Sequence, residues 1–345
     1  MTLLVHYSPA YVAAAHAFDT TRKAAWVADA VRDVDGVRLV APSAAWDDAD
    51  VETAIRRVHD GAYVDALATG EPRALAESQG FTWDPGLWTA VRASTAGVLS
   101  AVDVVLDAGA GAGATEDAAS DAARGHARGP RLSGSLSSGM HHAKHASGDG
   151  FCSVNGLVVA AAHAVAQHDV DVTILDVDAH AGGGTDELLR LHADTLATAR
   201  VRHLDLTTKP YDSYVGQDPR PGDVNIEDVS LDGDDARYLD AVDVLLDALP
   251  DLTSPQAAGA GAARRHLVLH NAGMDPSPGI SFDALAERER RVAEALVSRG
   301  LAGVFVLAGG YTWSATEHEV AAAHASTGRA FAEARAAGAP GRGRS

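Results

Sequence analysis

The chain has 345 residues, 46% of them hydrophobic, with 47 acidic against 28 basic side chains and a net charge of −19. That much apolar material excludes wholesale disorder, and the acidic balance argues against nucleic acid as a direct partner. A single cysteine, Cys152, forbids an internal disulfide or a cysteine-rich zinc knuckle.

No run of about 18 uncharged apolar residues reads as a transmembrane helix. The start, MTLLVHYSPAY, lacks the basic and apolar blocks of a secretory signal. The expectation is a cytoplasmic protein with no membrane partner, free to assemble as a homo-oligomer.

In chain order, apolar spacing predicts helices over 21–33, 49–59 and 87–106, with a short strand near Val37–Val40. Residues 107–131 are Gly/Ala/Asp-rich and aperiodic, and read as a mobile surface loop within one domain spanning 1–337. Residues 338–345 read as a tail. Beyond residue 132 come helix 155–168, strand Val172–Val177, strand Val201–Leu206 and a polar loop over 207–235. Helix 235–249 and strand 266–270 follow. Helix 283–299 has Ser281 as its N-cap and Gly300 as its stop. Strand 303–308 and a helix over 315–337 complete the series. Continuous apolar strands alternating with helices predict an α/β fold with a mainly parallel sheet covered on both faces.

The chemically capable residues fall just past predicted strand ends: Asp176, Asp178 and His180 in DVDAH, Asp275 in HNAGMDP, and Tyr311 in GGYTW. Open parallel sheets form ligand sites at that rim. In extended backbone, residues two apart project from one face, so Asp176, Asp178 and His180 converge. Such a group needs a cation, and carboxylate plus imidazole suits zinc or iron(II). Asp275 is the best third ligand. Alone, DxDxH reads more readily as an ordinary polar loop than as a metal site. The tandem His141 and His142, in a Gly/Ser-rich loop, have no packing rationale and suit proton transfer. Tyr311, behind Gly309 and Gly310, can donate to a developing oxyanion. Cys152 reads as buried packing, and His163, His168, His318 and His324 as structural or solvated.

HHAKHASGDGFCSVNG, LDVDAH, NAGMD and AGGYTW, in that order, resemble the signature segments of the histone deacetylase superfamily, closest to its bacterial and archaeal acetoin-utilisation-type branch. VHDGAYVDAL (58–67) resembles the family's early helix. The resemblance implies the arginase/deacetylase fold, a single domain on a mainly parallel sheet of about eight strands flanked by helices. It maps Asp178, His180 and Asp275 onto zinc ligands, His141 and His142 onto the paired histidines, and Tyr311 onto the carbonyl-polarising tyrosine. Asp176 maps onto the acid orienting the first histidine. A structural potassium is implied at Asp176, Asp178, the His180 carbonyl, Asp205 and Leu206. Gly150 and Phe151 match the acyl-lysine tunnel, with Tyr214 on the opposite wall and Gly309 and Gly310 alongside.

One departure stands out. The acid or amide that orients the second histidine in many members is replaced by Gly183. The rim acid is also hard to place, with Asp84 as a candidate and Trp83 or Trp88 narrowing the mouth. The implied activity is metal-assisted hydrolysis of an N-acyl amide, such as acetyl-lysine or an acetylated polyamine. An arginase-like ureohydrolase would need DxHxD and DxDxxD arrangements that this chain lacks. A catalytically weak binder of acylated ligands has Gly183 as its sole sequence support.

Overall fold

A computed structural model describes residues 2–14, 19–107, 131–254 and 264–338. The predicted loop over 107–131 and tail over 338–345 fall almost wholly outside these residues. Eight strands form one sheet: β1 (Leu3–His6), β2 (Val37–Val40), β3 (Leu132–Ser138), β4 (Asp171–Asp176), β5 (Val201–Thr207), β6 (Val224–Glu227), β7 (His266–Gly273) and β8 (Ala302–Ala308). Their order is β2-β1-β3-β8-β7-β4-β5-β6, and every neighbouring pair is parallel.

Helices cover both faces, as parallel strands require. Along the chain they are α1 (Lys23–Val31), α2 (Asp48–Arg56), α3 (Gly61–Thr69), α4 (Arg73–Ala76), α5 (Leu87–Asp107), α6 (Gly156–His168), α7 (Gly183–Leu191), α8 (Asp235–Asp247), α9 (Phe282–Ser298) and α10 (Glu317–Ala337). Strand alternation divides the core in two. Val172, Ile174, Leu267, Leu269 and Val304 pack with α2, α3, α5 and α6. Leu175, Leu204, Val268, Phe305 and Leu307 pack with α1, α8, α9 and α10. α5 is long and apolar enough to cross a membrane, but 72% of its apolar window is buried inside the fold. Its apolarity serves the core.

Strand β3, LSGSLSS, has no apolar pattern, and the sequence offers no strand there. It is nonetheless buried on both sides beside β8. A Cβ on Gly134 would lie 2.2 Å from the Phe305 ring, so glycine here makes room for a large core side chain on the next strand. Its serines bond inward: Ser133 Oγ donates to the Leu4 carbonyl at 2.8 Å. Strand β6 likewise emerges from within the predicted loop 207–235.

Candidate active site

The carboxyl ends of β3, β4, β5, β7 and β8 meet at one rim, and the chain there supplies the acids and histidines of the site. Past β3, the loop carrying His141 and His142 is tied down by α6 and α7. Asn155, the N-cap of α6, reaches Thr185 Oγ1 at 3.0 Å, and Thr185 N donates to the His141 carbonyl at 2.9 Å. Both imidazoles are buried, with ring centroids 4.0 Å apart.

His141 Nδ1 lies 2.7 Å from Asp176 Oδ2, and its Nε2 lies 3.5 Å from Asp178 Oδ1. Asp176 is wholly buried at the end of β4, where its other oxygen accepts from Asn271 Nδ2 at 2.8 Å. Burial alone would depress the His141 pKa. The Asp176 and Asp178 carboxylates outweigh it and raise the pKa to about 10. His142 is shifted the opposite way. Burial and the charge of His141 lower its pKa, partly offset by Asp212 and Asp178.

Asp212 fills the place that the sequence leaves open at Gly183. Its Oδ2 lies 3.0 Å from His142 Nδ1 and accepts from Gly184 N at 3.2 Å. A Cβ on Gly183 would fall 2.4 Å from the Asp212 carbonyl oxygen and 2.5 Å from its carboxylate. The glycine and the distant aspartate are therefore complementary: one vacates the space that the other occupies. Asp212 also meets Lys144 Nζ at 3.2 Å, and Lys144 meets Asp149 at 2.8 Å.

Asp178, His180 and Asp275 come together as predicted, with ligand atoms within 4.8 Å of one another. Asp275 Oδ1 accepts from Ala179 N at 3.1 Å. Its buried Oδ2 lies 3.0 Å from His180 Nδ1 but out of hydrogen-bond alignment, and has no hydrogen-bond partner. An orphaned buried carboxylate oxygen beside two further ligand atoms fits a divalent cation. Two carboxylates and one imidazole are a donor set for zinc or iron(II) that leaves coordination positions open. A Cβ on Gly309 would collide with the Asp275 carboxylate at 2.2 Å, which explains the glycine at the β8 exit. Lys23, on α1, is buried beneath this turn and donates to the Gly309 carbonyl. Burial lowers its pKa to about 8 against the pull of Asp275 and Asp178.

Tyr311 follows Gly309 and Gly310. Its ring stacks on Trp313 at 4.6 Å and meets Phe151 edge-on at 6.3 Å. Burial, then the charges of Asp275 and Asp178, push its pKa far up, so the phenol stays a proton donor. A cavity of about 270 Å³ opens beside it, lined by His180, Asp275, Phe282, Tyr311 and Trp313. Gly150 and Phe151 both have positive φ, and Gly150 packs against the His142 ring.

Four expectations are corrected. Tyr214 is not on the wall opposite Phe151: its hydroxyl turns inward to Asp205 Oδ2 at 2.9 Å and its ring stacks on His203. Tyr211 stands on that wall, with its ring 4.9 Å from His142 and 5.9 Å from His180. Asp84 is buried and accepts from Gly86 N at 2.6 Å, so its carboxylate is not an exposed acid at the mouth. Trp83 donates to the Leu67 carbonyl and Trp88 is buried, whereas Trp313, 71% exposed, borders the cavity.

At the expected potassium position, Asp176 and Asp205 are joined by His203. His203 Nε2 lies 4.0 Å from each carboxylate and has no hydrogen-bond partner. Burial opposes its charging, but Asp176 and Asp205 raise its pKa. Asp176, His203 and Asp205 thus form a buried group of side chains able to hold a metal ion. Leu206 is a buried core residue.

A profile of the histone deacetylase domain matches residues 16–217, more than half of the chain. The matched stretch carries His141, His142, Asp178 and His180, while Asp275 and Tyr311 lie beyond it. Comparison with curated proteins gives no match. Among solved structures, the chain is similar to the crystal structure of acetylpolyamine aminohydrolase from Burkholderia pseudomallei, from an iodide soak. The identity is 19% and the TM-score 0.66, over 96% of this chain and 98% of that one. That likeness is one of fold.

Proposed function

The chain belongs to the histone deacetylase family and is a hydrolase of the deacetylase type, and on that premise we propose a zinc-dependent deacylase that releases an amine from an acetylated amine. The observation that carries this reading is the convergence of Asp178, His180 and Asp275 beside His141, His142 and Tyr311. Asp178, His180 and Asp275 would hold the metal. When bound, zinc supplies Lewis acidity to the amide carbonyl and acidifies water.

The protein's own groups divide the remaining work. With Nδ1–H committed to Asp212, His142 presents a free Nε2 that takes the proton of the attacking water and later delivers it to the leaving amine. The pKa values of the two histidines are pushed apart, which supports His142 as the base and His141 as its charged partner. Tyr311 donates from its phenol to the carbonyl oxygen as that oxygen becomes negative. Asp212 removes the one sequence feature that favoured a binding protein without turnover.

Two substrate types share this chemistry, acetylated polyamines and acetyl-lysine. The net charge of −19 attracts a polycation over long range, and the similar solved structure is an acetylpolyamine aminohydrolase, so the acetylated polyamine is the preferred substrate. The working place we assign is the cytoplasm. The test is amine release by zinc-loaded protein from an N-acetylated polyamine and from an acetyl-lysine peptide. Release from the polyamine at higher kcat/KM supports the reading. Retention of zinc with no release from either substrate refutes it.

A further inference from the structure

A second group of metal-ligating side chains lies at the other end of β4. Asp103 is near the end of α5, and His163 and His168 are on α6, whose last residue leads into β4. β4 spans six residues, so this group is about 20 Å from the catalytic rim. We propose that Asp103, His163 and His168 form a structural zinc site that staples α5 to α6.

Three observations carry this. First, the donors converge on one point: His163 Nε2 and His168 Nε2 lie 2.7 and 3.0 Å from the same oxygen, Asp103 Oδ1. The three ligand atoms are all within 4.8 Å of one another. Zinc takes such nitrogen and carboxylate donors at about 2.0–2.2 Å, so it needs only a few tenths of an ångström of opening.

Second, the ligands are themselves held from behind. Asp107 Oδ1 lies 3.4 Å from His168 Nδ1, and Trp46 Nε1 donates to Asp103 Oδ2 at 2.8 Å. Nε2 of each histidine hydrogen-bonds Asp103 Oδ1 here; a metal would take the place of those protons, and Asp107 beside Nδ1 of His168 favours the tautomer that this needs. Trp46 also meets the His163 ring edge-on at 4.9 Å.

Third, the burial suits a closed side and an open side. His163 and His168 side chains are 12% and 9% exposed, while Asp103 is 26% exposed. Water therefore has access to a fourth coordination position. Three protein ligands bridging two helices stabilise the fold by binding only the native arrangement.

The experiment separates this site from the catalytic one. Asp178→Ala/His180→Ala removes two catalytic ligands, and zinc content is then measured at micromolar free zinc against a competing chromophoric chelator. One zinc per chain and a higher Tm on zinc addition are expected. Adding His163→Gln and His168→Gln should abolish both. In the otherwise wild-type chain, His163→Gln/His168→Gln should lose one of two zinc ions and keep its deacylation rate. If the Asp178→Ala/His180→Ala protein takes up no zinc and its Tm does not move, the cluster is an ion-pair network and the inference is wrong. That result stands even if the His163→Gln/His168→Gln protein fails to fold.

Discussion

Replacing Asp212 with alanine tests the compensation for Gly183. Asp212 is 9% exposed on its side chain and His142 6%, so alanine leaves His142 Nδ1–H and Gly184 N–H without their acceptor. An orphaned buried donor costs about 1–3 kcal/mol, which appears as lost stability. The catalytic share is separate. Loss of the group that orients an active-site histidine costs about 10–100-fold, or about 1.4–2.7 kcal/mol of transition-state stabilisation. Asp212→Asn retains an oxygen that can accept from both N–H groups, so its loss should be about tenfold or less. A pH profile distinguishes orientation from general damage. His142 must be neutral to act, and burial and the charge of His141 lower its pKa, so the acid limb of wild-type kcat/KM should lie at lower pH than a free imidazole would give. Asp212 raises that pKa; Asp212→Ala should lower the plateau and move the acid limb to still lower pH. The assay is kcat/KM on an acetylated amine across pH 5–9, with zinc content measured in parallel. A full plateau in Asp212→Ala, or an acid limb that moves upward, refutes the role of Asp212.

Three further outcomes follow from the geometry. Tyr311→Phe should keep its zinc and lose about 10²–10³ in kcat, as removal of one oxyanion donor does; full activity would remove Tyr311 from the reaction. Gly183→Ala forces a Cβ to 2.4 Å from Asp212, so it should reproduce the Asp212→Ala pH profile with zinc retained; an unchanged profile contradicts the complementarity. Gly134→Ala overpacks the β3–β8 contact against Phe305 and should cost about 1–3 kcal/mol in urea unfolding; an unchanged midpoint contradicts that close approach.

Much of this site was legible because its residues follow the strongest sequence signals. β4, β7 and β8 are continuous apolar runs, and Asp178, Asp275 and Tyr311 sit just beyond their ends, where a parallel sheet exposes its ligands. β3 was missed because a strand buried on both sides with Ser and Gly has no hydrophobic period. Asp212 was missed for a different reason. The sequence shows an absence at Gly183, but the filling residue is 29 positions later in a loop without pattern, and only the fold brings the two together. His203 and Tyr211 also depend on tertiary contact. The His163/His168 pair was read as structural or solvated because both lie on an apolar helix, and Asp103, which joins them, comes from another helix altogether. Tyr214 was misplaced by three positions in that same loop, enough to exchange a surface-facing ring for an inward-facing one.

Crystals grown with zinc and measured at the zinc absorption edge test the central claim most directly. The account requires an anomalous peak within about 2.3 Å of oxygens of both Asp178 and Asp275 and of a His180 nitrogen. A chain that turns over acetylated amine while that position holds no metal contradicts it.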